Sequence, residues 1–201
     1  MTRQQTKDRR VQKTERLLRD AIGTLVHEKS YDSIAVREIL QRANVGRSAF
    51  YAHFSNKDAL LAVAIEQTLH EMPPHPVSVP PTRFEHVVGF SYRVFEHIDG
   101  FRDTATAMKG GKSRTIVHHH LRRVLLERVT AALRQSVPRS AVPAGLLAEY
   151  VVGTFILVLN WWVDSRSTLS ARQINDVFRS FVLPALTAAA DGNGALRTLF
   201  I

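Results

Sequence analysis

The chain has 201 residues, 45% of them hydrophobic, and a formal net charge of +9. That length holds one or two domains with a real core, and that charge favours a polyanionic partner, nucleic acid before anionic membrane. With no cysteine, disulfides, zinc–thiolate sites and a cysteine nucleophile are excluded, which agrees with a cytoplasmic protein. The opening MTRQQTKDRR carries no apolar stretch, so no signal peptide is expected, and residues 1–9 read as a polar lead-in. Leu18, Ala21, Ile22 and Leu25 then recur at helical spacing and predict an amphipathic helix over 10–28. Among the first nineteen residues, Arg3, Lys7, Arg9, Arg10, Lys13, Arg16 and Arg19 are set against only Asp8 and Glu15. Such a run is ordinarily a solvated face, but beside a nucleic-acid-binding element it fits the phosphate backbone.

Residues 36–54, VREILQRANVGRSAFYAHF, carry the most informative pattern. Ile39, Leu40 and Ala43 give one short helix over 36–43. Asn44-Val45-Gly46 breaks it, since Asn and Gly tolerate the left-handed backbone of a tight turn. Residues 47–54 form a second short helix, with Phe50 and Phe54 four apart on an inward face. Its outer face carries Arg47, Ser48, Ala49, Tyr51 and His53. Two short helices, a three-residue turn and a polar outer face describe a helix-turn-helix suited to the DNA major groove. A plain helical hairpin in any all-α domain fits the same residues. The flanks decide between them, because a basic helix precedes the unit and Ser55-Asn56-Lys57-Asp58 restarts a helix at once.

On Tyr51-Ala52-His53-Phe54-Ser55-Asn56-Lys57, with Ile39, Ala43, Val45 and Phe50 before it, residues 10–69 resemble the DNA-binding domain of the tetracycline-repressor (TetR) family. The resemblance covers about a third of the chain. It departs from the family at Ala35 and Gly46, where Ser or Thr usually caps each short helix; Ser33 stands further back as an alternative cap.

Beyond it, Leu60, Leu61, Ala64, Ile65 and Leu69 predict a helix over 57–72, and five prolines between 73 and 81 end it. That gap divides the chain into a DNA-binding domain, 1–72, and a second domain, 82–201. The spacing then predicts helices over 83–97, 101–108, about 113–136 and 170–190, with an apolar segment at 144–163. The unbroken apolar part of that segment, residues 150–163, contains Gly153, Thr154 and Asn160 and falls short of the about 20 residues of a span, so a buried helix is expected rather than a membrane partner. A helix apolar nearly all round needs cover on several sides, which a second subunit would supply. His118-His119-His120 reads as polar residues on a helix, because neighbours about 100° apart cannot converge on one ion. No metal, cofactor or catalytic residue is expected, and no nucleophile elbow, phosphate loop or HExxH motif appears.

The resemblance implies an all-α homodimeric repressor on a palindromic operator in double-stranded DNA, released by a small-molecule effector. Arg47, Ser48 and Ala49 would then meet base edges, and Tyr51, His53, Lys57 and Arg37 would hold phosphates. The effector pocket is expected among the helices holding Phe90, Phe95, Phe101, Met108 and Leu121. The last two helices would supply the dimer contact, through Gly153, Ile174, Phe178 and Phe181. Two other readings stay open on the residues alone. One is a small all-α enzyme with a basic surface, although no spacing forces acid–base residues together. The other is an architectural DNA-binding protein without an effector.

Overall fold

A computed structural model describes residues 3–72, 83–102, 112–136 and 142–191, and these are all-α, with no strand among them. Nine helices lie in the described residues: α1 (Arg3–Glu28), α2 (Val36–Ala43), α3 (Arg47–His53), α4 (Lys57–Glu71), α5 (Glu85–Val88), α6 (Ser91–Asp99), α7 (Lys112–Ser136), α8 (Ala144–Asp164) and α9 (Ala171–Asp191). They form two compact units, and chain order does not follow the division: residues 112–120 group with the first unit, and residues 121–136 with the second.

In the first unit the stripe of α1 does what its spacing predicts. Leu18, Ile22 and Leu25 are buried with Tyr31, Ile34, Ile39, Phe50 and Leu60 in one core, on which Ile116 and Val117 of α7 also pack. The helix begins earlier than the sequence implied, at Arg3, because residues 3–9 contain neither Pro nor Gly and all tolerate a helical backbone. A 3-10 turn, Tyr31–Ser33, joins α1 to α2. The Ser33 hydroxyl closes it by donating to the Ser30 carbonyl at 2.7 Å.

The second unit is built on an aromatic cluster. Phe95, Phe155, Trp162 and Phe178 are fully buried. Phe155 lies 4.9 Å from Phe95 and 5.4 Å from Phe178 between ring centroids, and Phe95 meets Trp162 edge-on at 5.7 Å. Such pairs contribute about 0.5–1.5 kcal/mol each beyond the area they bury. The predicted helix over 83–97 is interrupted between α5 and α6, at Gly89 and Phe90. There a Cβ on Gly89 would come within 2.9 Å of the Glu85 carbonyl oxygen. Inside this core Ser91 and Asn175 share a hydrogen bond of 2.6 Å, so neither buried polar group is left alone. Glu85 and Arg179 form a two-pronged pair, both contacts 2.8 Å, tying α5 to α9.

Helix α8 is long and apolar enough to cross a membrane by length and composition. One side of it, including Val151, Phe155, Leu159 and Trp162, is nevertheless buried in the unit's own core. Pro184 sits inside α9. A proline there removes one backbone donor and opens the preceding turn, and the nearby Phe181 carbonyl accepts the Tyr150 hydroxyl at 2.9 Å, joining α8 to α9.

Candidate nucleic-acid interface

The turn between α2 and α3 follows from three residues. Asn44 adopts the left-handed backbone, φ 52° and ψ 47°, which Asn tolerates better than most residues. The Val45 amide then donates back to the Leu40 carbonyl at 3.1 Å, closing the end of α2. Gly46 is extended, φ −71°, and a Cβ there would meet nothing within 4 Å. Asn44 alone supplies the left-handed step that the sequence shared between Asn and Gly.

Ala35 offers no capping side chain to α2. The Glu38 carboxylate instead accepts the Ala35 amide at 2.8 Å, and the Lys29 ammonium donates to that carboxylate. These two hydrogen bonds, Lys29 first, hold the Glu38 carboxyl below its usual range. Arg42 grips Glu28 at 2.9 and 2.8 Å and fastens the end of α2 to α1. Helix α3 is therefore carried on a firmly placed α2. Its inward pair is as expected: Phe50 and Phe54 are buried, with ring centroids 5.9 Å apart.

On the outer side, Arg47, Ser48, Tyr51 and Ala52 are exposed, and Ala49 is half-buried. The Arg47 guanidinium lies over the Tyr51 ring, 5.6 Å from its centroid, so a planar donor fork and a phenol share one patch. Arg37 is exposed on α2. Two expected phosphate ligands are engaged elsewhere. His53 turns towards α1, its Nδ1 3.2 Å from Glu15 Oε1, and its side chain keeps only 13% of its surface. Lys57 turns inward, donating to the Tyr31 carbonyl at 3.0 Å and the Ile34 carbonyl at 2.8 Å. The Tyr31 hydroxyl donates to the Asp58 carboxylate. Burial first, and then Asp58, push the Tyr31 phenol up, so it stays protonated. The Glu15, Tyr31 and Asp58 partners were not found from the sequence, because pairs 26 to 38 residues apart leave no trace in local spacing.

The pocket candidates divide. Phe95 and Leu121 are buried, and Phe90, half-buried, meets Phe155 at 5.1 Å. Phe101 packs edge-on against His97 at 5.2 Å. Met108 lies outside the described residues. Of the dimer candidates, Ile174 and Phe178 are fully buried in the unit's own core, so a partner chain cannot meet their side chains. Gly153 and Phe181 are exposed, and Leu146, Tyr150, Leu157 and Trp161 are exposed along the same face of α8 as Gly153. Of the three consecutive histidines, His120 turns to Glu66, with its Nδ1 2.9 Å from a carboxylate oxygen. Among the described residues no three His, Asp or Glu side chains gather as metal ligands would.

Residues 18–64 match the pattern of the bacterial regulatory proteins, tetR family. The chain is 33% identical over 69 residues to the "Uncharacterized HTH-type transcriptional regulator YxbF" of Bacillus subtilis (strain 168), covering 34% of this chain and 18% of that protein. It thus spans under a fifth of that relative's length. A crystal structure of a TetR transcriptional regulator from Streptococcus agalactiae 2603V shares the fold, with a TM-score of 0.56 and 23% identity over 89% of this chain and 98% of that one. The tetR pattern falls on the helices that build the turn and its exposed face, and residues 18–64 thus carry the likeness to the tetR family of bacterial regulatory proteins.

Proposed function

We propose that this chain is a cytoplasmic transcription regulator, a repressor that binds a palindromic operator as a homodimer and leaves it when a small-molecule effector binds. The observation that carries this reading is the outer face of α3, where Arg47, Ser48 and Tyr51 are exposed above the buried Phe50 and Phe54. Arg47 stands in the first turn of that helix, where a planar fork reaches guanine O6 and N7 in the major groove. Arg37 and Tyr51 take the phosphates on either side. The exposed cations of α1, Arg10, Lys13 and Arg16, extend the same contact.

The second unit takes the effector and the partner subunit. Its aromatic residues around Phe90, Phe95 and Phe101 suit a largely apolar ligand. Its exposed apolar face on α8, with Phe181 of α9, suits a two-fold contact with a second copy. Effector and DNA then oppose one another, and linkage requires each to weaken the other's binding by the same factor. The test is to select bound duplexes from a random pool and compare the wild type with Arg47→Ala. Loss of Arg47 is expected to cost about 1–3 kcal/mol on the selected duplex and to relax preference at one position per half-site. Selection of no common sequence would refute the reading.

A further inference from the structure

We infer that Lys57 is a positioning residue for DNA recognition and not a phosphate ligand: with Asp58 it clasps the Tyr31–Ser33 turn, fixing how α2 and α3 are presented. The positioning half of this inference rests on the DNA-binding function proposed above.

The two residues open α4, and both reach back to the same turn. Lys57 Nζ lies 3.0 Å from the Tyr31 carbonyl oxygen, 2.8 Å from that of Ile34 and 3.4 Å from that of Asp32. An ammonium has three N–H groups, and three carbonyls surround this one. The charge also lies 4.4 Å from the centroid of the Tyr31 ring, a distance at which the ring face attracts it. Asp58 accepts the hydroxyl of that same tyrosine, whose side chain is buried in the core. One residue therefore holds the carbonyls of the turn and the next holds its aromatic side chain. A Lys57 drawn out to a phosphate would abandon these carbonyls and lift its charge off the ring.

The turn matters because only Ile34 and Ala35 separate it from the start of α2 at Val36, and α3 follows α2 through a tight turn. A loosened turn lets the α2–α3 pair shift against α1 and α4. Contacts to phosphate tolerate such a shift, because a charge is not strongly directional. Two-pronged hydrogen bonds to a base edge do not, since they weaken steeply when misaligned. Lys57 therefore contributes to sequence preference without touching a base, and contributes nothing to counterion release.

The test uses the full chain and three variants: Lys57→Met, which keeps the stem over Tyr31 but removes every donor; Tyr31→Phe, which removes only a buried hydroxyl; and the double variant. Thermal midpoints are measured, with binding to the duplex selected by the wild type and to its scrambled form over a salt series. Lys57→Met is expected to keep the wild-type salt slope and to lose about tenfold in the ratio of selected to scrambled affinity. Tyr31→Phe is expected to lose part of the same ratio, although no phosphate can reach its hydroxyl. The double variant is expected to lose less than the product of the two, as groups holding one turn are coupled. Failure of Lys57→Met to fold supports the clasp, since a surface phosphate ligand is not needed for folding. A salt slope lowered by about one unit per subunit with the ratio intact overturns it, as does a Tyr31→Phe protein identical to the wild type in ratio and midpoint. Should the wild type bind no duplex, the DNA reading falls by itself. The clasp is then judged on midpoints, where coupled losses sustain it and additive ones overturn it.

Discussion

Leu157→Glu is the sharpest perturbation of the proposed dimer. In the single chain, Leu146, Tyr150, Leu157, Trp161 and Phe181 keep 53, 40, 67, 53 and 53% of their surface. Full burial of such a side chain stabilises by about 1.5–3 kcal/mol, so covering the open half is worth about 1 kcal/mol. Five residues on each of two copies then offer about 10 kcal/mol, the same order as the about 4–15 kcal/mol that association costs in lost freedom. The face is therefore sufficient for a dimer only if most of it is used, and one charge at its most exposed member is costly. A glutamate at 157 loses the apolar contact and strands a carboxylate against apolar neighbours. Counted on both copies this is about 4 kcal/mol or more, a thousandfold in dissociation constant.

The assay is sedimentation of wild type and variant at micromolar concentration, with a thermal melt beside it. Leu157 faces solvent in the single chain, so the variant is expected to sediment as a folded monomer with its helical signal intact. Phe178→Glu is the contrasting control. That side chain is fully buried against Phe155, so the charge unfolds the unit instead of dividing the dimer. A wild type that is monomeric at this concentration, or a Leu157→Glu protein with an unaltered dimer, refutes the assignment of this face.

Two further predictions concern stability. Arg179→Met leaves Glu85 with 12% of its side chain exposed and without the arginine that grips both its oxygens, and is expected to cost about 3 kcal/mol in denaturant unfolding; a change within error shows that the pair contributes nothing. The Tyr31 phenol is raised above its ordinary 10.0, so its contribution is intact below pH 10 and is lost as pH rises, because the unfolded chain ionises first. Unfolding midpoints from pH 8 to pH 11 are expected to fall more steeply for the wild type than for Tyr31→Phe, and parallel curves refute the linkage.

What the sequence disclosed was local. The turn between α2 and α3 was legible because Asn and Gly mark a backbone step, and the inward pair Phe50 and Phe54 because four residues make about one helical turn. The start of α1 was not legible because a polar run such as residues 3–9 looks the same as a lead-in or as the first turns of a helix, and nothing there opposes a helix. The dimer residues expected on α9 divide for another reason. Ile174, Phe178 and Phe181 lie on one broad apolar arc, and spacing does not reveal how much of that arc the chain covers with its own helices. The structure buries Ile174 and Phe178 and leaves Phe181 at the rim.

The same distinction applies to charge. A formal net charge of +9 counts every lysine and arginine alike, but the first unit does not use them alike. Lys29 and Arg42 are spent on Glu38 and Glu28, fastening α2 at both ends. Lys57 is spent on backbone carbonyls and an aromatic face. Arg10, Lys13, Arg16, Arg37 and Arg47 remain exposed. Only exposed cations release counterions when they meet phosphates, so the salt dependence of binding follows from the exposed set and not from composition. The engaged cations serve the proposed binding differently: by fixing α2 and the turn before it, they leave α3 little freedom to lose in the proposed contact of Arg47 with a base.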